Sequence, residues 1–212
     1  MHITHTIQDH SFSAMTKQFS AAAERNSQPI LAVLRELLPQ PVRVLEIGSG
    51  TGQHAVYFGA HLPHLTWQTS DLPQNHASIH AWMNEADLPN VLPPLTLDTA
   101  TADRWPQAQY DAVFTANTCH IMSWEEVRSM FAGMAMALRA GGLVCVYGPF
   151  NYGGKFTSES NAMFDASLKA QAESMGIRDF EAVDQLANAN GMALRKDYDM
   201  PAHNRLIVWV KS

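Results

Sequence analysis

Short apolar runs rich in β-branched residues recur along the chain, and segments in which apolar residues follow helical spacing separate most of them. Glycine, proline and asparagine mark many of the junctions. This alternation predicts an α/β fold on a mostly parallel sheet, closed by a terminal hairpin that turns at 201–204. The predicted strands are 42–47, 65–70, 91–97, 110–116, 143–147, 193–198 and 206–210. The predicted helices are 13–38, 53–61, 73–86, 124–140, 161–175 and 180–190.

Single residues set the boundaries of two predicted elements. Strand 91–97 contains two prolines, which lack an amide hydrogen, so it is expected at an edge of the sheet. Ser123 is the predicted N-cap of helix 124–140, ahead of acidic residues in the first turn. Gly141 and Gly142 are predicted to end that helix.

The most informative stretch is the first strand together with the turn and helix that follow it. Its glycines permit backbone torsions and a close ligand approach that a Cβ atom would block. A dinucleotide fingerprint, G-x-G-x-x-G, would need glycine where the chain has Gln53. The pattern E-x-G-x-G-x-G is instead similar to the first motif of class I methyltransferases that use S-adenosylmethionine (SAM). Its residues are Glu46, Gly48, Gly50 and Gly52.

The chemistry of that ligand indicates which groups would recognise it. SAM carries an ammonium, a carboxylate and a sulfonium cation but no pyrophosphate. The carboxylate of Glu46 is expected to attract the ammonium, whereas turn amides and the start of the next helix suit the ligand carboxylate. A second acid, Asp71, stands nineteen positions after Gly52 at the end of the second strand, where such folds bind ribose hydroxyls.

Further candidates follow from where the next two strands end. Leu97 and Asp98 close the third strand and are candidates for the adenine pocket, with a simple turn as the alternative. Asn117 and His120 follow the fourth strand, and ligands of open α/β sheets bind outside the carboxyl ends of strands. His120 is a candidate general base and Asn117 a candidate for positioning the acceptor. The alternative for His120 is a purely structural hydrogen bond at a strand end.

Polar residues on two helices complete the candidate site. Arg25 and Asn26 interrupt an apolar helix and are expected to fold back onto the cofactor carboxylate, or else to lie on a solvated face. Ser158, Asn161 and Asp165 are candidates for the acceptor pocket, with turn and helix capping as the equal alternative.

Eight segments spread along the chain indicate one family within the methyltransferase superfamily. In these segments the chain resembles the domain-of-unknown-function 938 family, also called methyltransferase-like protein 26, and they extend over nearly its whole length. The resemblance implies a Rossmann-like class I methyltransferase fold, with a seven-stranded mixed sheet, one antiparallel strand, helices on both faces and bound SAM. It supplies no acceptor. The segments are AERNSQPIL at 23–31, VLEIGSGTGQH at 44–54, WQTSD at 67–71, ANTCHI at 116–121, YGPF at 147–150, FTSESN at 156–161, GIRD at 176–179 and MPAHN at 200–204.

Composition and charge narrow the classes of partner. The 14 Lys and Arg residues against 20 Asp and Glu give a formal net charge of −6, which opposes the phosphate neutralisation that nucleic acids require. The apolar stretches are too short for a membrane span and the start of the chain is polar, so a cytoplasmic protein is expected. Cys119 and Cys145 lack C-x-x-C spacing and are expected to be buried free thiols. His76 and His80 have no third metal ligand beside them, so no metal is expected.

Together these observations predict one methyltransferase domain over 1–212, with a helical segment at 1–40 and a turn-rich, acceptor-side insertion at 148–176. The predicted function is methyl transfer from SAM to a small-molecule acceptor, which leaves S-adenosylhomocysteine (SAH). Because no catalytic motif such as N-P-P-Y follows the fourth strand, a non-catalytic SAM-binding or SAH-binding regulatory or partner protein is the alternative. A nicotinamide oxidoreductase is disfavoured by the residue at position 53. The predicted cofactor-binding residues are Arg25, Asn26, Glu46, Gly48, Ser49, Gly50, Gly52, His54, Asp71, Leu72, Leu97, Asp98 and Asn117.

Overall fold

A seven-stranded mixed sheet lies at the centre of the molecule. The computed structural model describes residues 17–101 and 105–212. A second, two-stranded sheet lies beside the main one. The strands of the main sheet are β1 (Arg43–Ile47), β2 (Thr66–Asp71), β3 (Val91–Thr96), β4 (Tyr110–Ala116), β5 (Leu138–Gly148), β8 (Met192–Met200) and β9 (Asn204–Lys211), and those of the small sheet are β6 (Phe150–Asn151) and β7 (Arg178–Asp179).

The order of the strands across the main sheet is β3-β2-β1-β4-β5-β9-β8. The neighbours from β3 to β5 pair in parallel. β9 runs antiparallel to both β5 and β8, so it is the one reversed strand of this sheet in the part of the chain that the structure describes. This topology confirms the predicted class I methyltransferase fold, and β3 lies at the edge where its prolines placed it.

Helices cover both faces of the sheet. They are α1 (Ala21–Leu37), α2 (Gln53–His61), α3 (Pro73–Ala86), α4 (Trp124–Ala137), α5 (Glu159–Gln171) and α6 (Phe180–Ala189). Within the described ranges, no helix combines the length and the apolar composition that crossing a bilayer requires.

The start of α1 differs from the sequence prediction. Residues 17–20 are not helical, and residues 13–16 of the predicted helix lie outside the described residues. Ser20 is the N-cap, since its side-chain oxygen accepts a hydrogen bond from the amide of Ala23 at 3.2 Å. The amide of Ser20 donates to the side chain of Gln53, which fixes the start of α1 against α2.

The start of α4 is confirmed and its end was predicted wrongly. Ser123 and Glu126 form a capping box at its start. The helix ends at Ala137, ahead of the glycines that were expected to stop it. The ammonium of Lys211 donates to two carbonyl oxygens at this end, at 2.6 and 2.8 Å. Leu138 then opens β5 earlier than predicted, because it pairs with the first residue of β4.

Two hydrophobic clusters fill the two sides of the sheet. The central strands contribute alternate residues to each cluster, as expected where both faces are buried. The cluster beneath α4 and α6 includes Leu45, Ile47, Val113, Val144, Val146, Phe131 and Trp209. The cluster beneath α1 and α2 includes Ile30, Leu34, Val44, Phe58, Trp67, Phe114, Cys145 and Val208.

The predicted insertion 148–176 is more ordered than a loop. β6 lies within it and pairs in parallel with β7, and the side chain of Phe150 is buried. β6 follows the carboxyl end of β5 along the chain, and β7 contacts the segment after β4 through Arg178, which donates to the carbonyl of Cys119.

Candidate active site

Three cavities meet around Asn117, just beyond the end of β4. Asn117 lines all three. We call them the β2 cavity, the turn cavity and the hairpin cavity, after an element in the lining of each. Their volumes are about 390, 320 and 450 Å³, which are typical of small-molecule sites. Gly48, Gly50 and Ala116 line both the β2 and the turn cavity, so these two adjoin across the glycine turn. The β2 cavity is further defined by Asp71, Leu72, Asn75, Leu97, Asp98 and Ile121, the turn cavity by Ser49, Thr51, His54, His120 and Phe164, and the hairpin cavity by Arg25, Asn26, Pro29, Tyr147, Pro201, Ala202 and Asn204.

The cavities divide the predicted cofactor residues into separate groups. Those at the ends of β2 and β3 line the β2 cavity, and most of the glycine turn lines the turn cavity. Arg25 and Asn26 line only the hairpin cavity, although Asn26 also contacts His54, which lines the turn cavity. Glu46 and Gly52 line none of the three.

The glycine turn is held by hydrogen bonds within the turn and to β2. Gly48, Gly50 and Gly52 all have positive φ angles, of 67°, 58° and 94°. The amide of Ser49 donates to the backbone of Ser70 at 3.0 Å, and the amide of Gly52 donates to Ser49 at 2.9 Å. These amides are therefore already bonded within the protein, and the turn offers a ligand fewer free amides than the sequence suggested.

Alanine at Gly52 is expected to destabilise the fold by about 2 kcal/mol more than alanine at Gly141, because only the first substitution overpacks the structure. A Cβ atom at Gly52 would stand 2.9 Å from the Cα of Ile79, whereas one at Gly141 would meet nothing within 4 Å. Both glycines have positive φ, so the backbone strain is common to the pair. Urea unfolding of the two variants measures the difference, and equal losses of stability would refute this packing argument.

Asp71 ties the end of β2 to the glycine turn. Its Oδ2 accepts from the amide of Gly50 at 2.7 Å, and its Oδ1 accepts from the amide of Leu72 at 2.7 Å and from the side chain of Asn75 at 2.8 Å. A carboxylate offers about four acceptor positions, so these three donors orient the group and leave one position for a ligand hydroxyl.

Glu46 lies in the core, behind the turn. Its side chain is 2% exposed and its Oε2 accepts from Trp67 Nε1 at 3.0 Å and from Ser49 Oγ at 2.9 Å. Burial raises the pKa of the Glu46 carboxyl to about 7, the two hydrogen bonds oppose this rise, and the charge of Asp71 adds to it. Glu46 therefore braces β1, β2 and the turn, and it binds a proton near neutral pH.

Glu46→Gln is expected to stabilise the protein relative to wild type as the pH rises. The pKa is raised from 4.5 to about 7, so the folded protein binds the extra proton between these values. The free energy of unfolding that this proton contributes is complete below pH 4.5 and is lost as the pH rises through about 7, a change of about 3 kcal/mol. The neutral glutamine has no such loss.

Denaturant unfolding of both proteins from pH 4.5 to 8 tests this expectation. Burial lowers the pKa values of His54 and His120 from 6.5 to about 4, which also makes stability depend on pH, but this effect is common to both proteins and cancels in the difference. A stability difference that stays constant with pH would show that folding does not raise the pKa of Glu46.

His54 links α2 to α1. Its Nε2 lies 2.6 Å from Oδ1 of Asn26, and its ring stacks on Phe58 with centroids 5.3 Å apart. Burial lowers the pKa of His54 to about 4, so the ring is neutral at neutral pH. The neutral ring can donate one hydrogen bond to Asn26 while its edge lines the turn cavity.

Asn117 holds a strained backbone at the centre of the site. Its φ is 59°, in the left-handed region that non-glycine residues rarely adopt. Its amide donates to the carbonyl of Tyr147 at 2.9 Å, which fixes the end of β4 against β5. Strained residues of this kind concentrate at functional sites.

His120 is buried in the wall of the turn cavity. It is 5% exposed, and its ring meets Phe164 edge to face with centroids 5.2 Å apart. Burial lowers the pKa of His120 to about 4, and the neighbouring Arg178 guanidinium lowers it further in the same direction. Its ring nitrogens make no hydrogen bond to another described residue, so a neutral ring is available to a ligand.

Arg178 braces the segment that carries His120, a role that was not predicted from the sequence. Its guanidinium donates to the carbonyl oxygens of Cys119, at 3.0 Å, and Met122. It also donates to the carbonyl of Ser174 at 2.9 Å. Arg178 lies in the segment GIRD at 176–179, one of the eight segments that resemble the family, and this resemblance is the sequence signal that could have indicated its role. Phe164 gave no such signal, because it contacts His120 only through tertiary packing.

The polar residues predicted for the acceptor pocket instead hold the insertion together. Ser158 caps α5. Asn161 donates to Thr157 at 2.9 Å and to the carbonyl of His203 at 3.2 Å. Asp165 accepts from the amide of Ile177 at 2.8 Å. None of the three lines the cavities around Asn117.

The remaining candidates for reactive groups are structural. Cys119 and Cys145 are both buried, as predicted, and burial raises the pKa of each thiol to about 12. His76 contacts the carbonyl oxygen of Asp71 at 3.0 Å. In residues 17–101 and 105–212, no three potential metal ligands cluster.

Comparison with known families and structures places this geometry in context. A family model described as "Protein of unknown function (DUF938)" matches residues 17–211. An O-methyltransferase family protein from Burkholderia thailandensis superposes with a TM-score of 0.79 at 19% identity, over 90% of this chain and 57% of that protein. For the mitomycin 7-O-methyltransferase MmcR the TM-score is 0.77 at 13% identity, over 91% and 55% of the two chains.

A third similar structure is that of PigF with SAH, with a TM-score of 0.75 at 18% identity over 90% of this chain and 64% of PigF. This chain therefore spans between 55% and 64% of the length of these three proteins. At such identities the likeness shows the fold, which is that of class I methyltransferases.

Proposed function

This chain belongs to the DUF938 family, and from that premise we propose that it is a SAM-dependent methyltransferase acting on a small-molecule acceptor. The observation that carries the proposal is the junction of Asp71 with the amide of Gly50 at 2.7 Å. It joins the acid at the end of β2 to the glycine turn along two adjoining cavities, the arrangement that a ribose followed by an amino-acid tail requires.

The residues present fit this cofactor. Asp71 keeps one acceptor position for a ribose hydroxyl, and Leu72 and Leu97 supply apolar walls for adenine beside Asp98. A Cβ atom at Gly50 would meet only the carbonyl of Gly48, at 4.0 Å, so it would stand in the cavity rather than in the protein. The missing side chain thus leaves room for a ligand against the turn.

When bound, SAM supplies a methyl group already activated by a sulfonium. The protein has to align an acceptor nucleophile with that methyl group and exclude water. In this proposal Asn117, which all three cavities share, orients the acceptor, and the neutral ring of His120, which lines the adjoining turn cavity, takes its proton. Phe164 packs edge to face against that ring and belongs to the insertion 148–176, so in this proposal the insertion, within a single domain, supports the residue that receives the acceptor's proton.

A second candidate function is a protein that binds SAM or SAH without catalysis. The absence of an N-P-P-Y type motif after β4 favours it, since Asn117 is followed by threonine and cysteine. Purified protein incubated with labelled SAM and a fractionated metabolite extract separates the two functions. Release of SAH that depends on one fraction supports the enzyme, and saturable SAM binding with no release from any fraction supports the binder.

A further inference from the structure

The hairpin cavity is distinct from the two cavities that contain the glycine turn, although it adjoins them. Its walls come from α1, from Tyr147 of β5 and from the turn between β8 and β9. It shares Asn117 with both other cavities and Ala22 with the turn cavity, but it contains no residue of the glycine turn and none from β2 or β3. A cofactor that fills the β2 and turn cavities would therefore leave about 450 Å³ open beside Asn117.

One charged side chain lines this cavity, that of Arg25. Arg25 is exposed and makes no ion pair or side-chain hydrogen bond to another residue in the described ranges. Arg205 differs, since it is paired with Asp197 and Asp199, each at 2.8 Å. Among the described residues, Arg25 is therefore the one charged group of this lining and it is open to a ligand, and the planar fork of donors of a guanidinium matches an oxyanion.

The other walls favour a flat, compact ligand. Pro29, Pro201 and the ring of Tyr147 supply apolar surface. The side chain of Asn204 donates back to the carbonyl of Pro201 at 3.2 Å, which holds the turn in place. Ala202 has a φ of 58°, so a second left-handed non-glycine residue faces the same cavity as Asn117.

We propose that the hairpin cavity is the acceptor site and that it takes a small molecule bearing an oxyanion, a carboxylate or a phosphate, which pairs with Arg25. This inference rests on the proposed methyltransferase function. It replaces the expectation that Arg25 holds the cofactor carboxylate, because Arg25 lines neither of the cavities that contain the glycine turn. The oxyanion end binds at α1, and the nucleophile of the acceptor lies toward Asn117.

Two matched variants test the proposal. Arg25→Gln removes the charge from the cavity, and Arg35→Gln removes the same charge from the last turn of the same helix, where it lines none of the three cavities. Calorimetry measures the binding of SAM to each protein. It then measures the binding of 4-hydroxybenzoate, phenyl phosphate and the uncharged 4-hydroxybenzamide, with and without saturating SAH.

The expected result is that at least one anionic probe binds wild type and Arg35→Gln, and binds Arg25→Gln at least about 10-fold more weakly, the loss of a charge-assisted pair. Tighter binding of 4-hydroxybenzoate would indicate that the site prefers a carboxylate, and tighter binding of phenyl phosphate that it prefers a phosphate. The affinity for SAM should stay within about 3-fold in all three proteins, less than the value of one hydrogen bond.

Three results would overturn the acceptor assignment. They are a 10-fold loss of SAM affinity in Arg25→Gln with anion binding unchanged, no binding of either anionic probe by wild type at millimolar concentration, and benzamide binding as tight as that of the anions. Failure of wild type to bind SAM at all would instead remove the proposed function, and the acceptor assignment with it.

Discussion

Asp71→Ala is expected to weaken SAM binding on the order of 1,000-fold. The substitution removes a charge-assisted hydrogen bond to the ribose and leaves that hydroxyl without a partner, which together cost about 4 kcal/mol. It also frees the amide of Gly50, which Asp71 now holds at 2.7 Å, so the turn loses its fixed position. Isothermal calorimetry measures the change in affinity, at a temperature where thermal unfolding shows the variant to be folded.

Asp98→Ala is the matched control for that experiment. Asp98 lines the same cavity, but its side chain accepts one hydrogen bond in the described structure, from the amide of Ala100 at 2.9 Å. Its loss should weaken SAM binding by about 10-fold or less, the value of a single exposed hydrogen bond. If Asp71→Ala and Asp98→Ala were equally mild, the carboxylate at the end of β2 would not be the ribose site.

His120→Ala is expected to lower turnover on the order of 1,000-fold while it leaves SAM affinity nearly unchanged, because general-base catalysis contributes about 100-fold to 10,000-fold. The pKa of His120 is lowered to about 4, so the ring is unprotonated at neutral pH. The wild-type rate should therefore be constant from about pH 6 to 8 and fall only as the pH approaches that value. The rate at which the protein forms SAH from SAM in the presence of an active metabolite fraction, measured across pH, gives both the loss of turnover and the pH profile.

His80→Ala serves as the control, since His80 lies on α3 and lines none of the three cavities. It should retain the wild-type rate and pH profile. Equal losses of turnover and SAM affinity in His120→Ala would show that this residue supports the fold of the turn cavity and takes no proton from the acceptor.

The order of the elements was predictable because a local sequence pattern indicates each of them. The apolar runs gave the strands, the prolines of β3 placed it at an edge, and Ser123 marked the start of α4. The end of α4 was not predictable in this way. Lys211 caps it from the last strand, more than seventy positions along the chain, so the local glycine signal was overridden.

In the candidate site too, the features that local patterns indicate were predictable and those that tertiary packing creates were not. The turn and Asp71 stood out because both the spacing and the residue types are local properties. The hairpin cavity was not predictable, since it forms where α1 meets the turn at Pro201 and no local pattern records that contact. For the same reason the contacts of Arg178 and Phe164 around His120 were not predictable from the sequence.

Calorimetric titration of the purified protein with SAM, SAH and NAD measures whether the cavities along the glycine turn bind the proposed cofactor. SAM and SAH are each expected to bind saturably and one-to-one, and NAD is expected not to bind. Saturable binding of NAD alone, or no binding of SAM and SAH to a protein whose folding has been verified, would contradict the assignment of this cofactor.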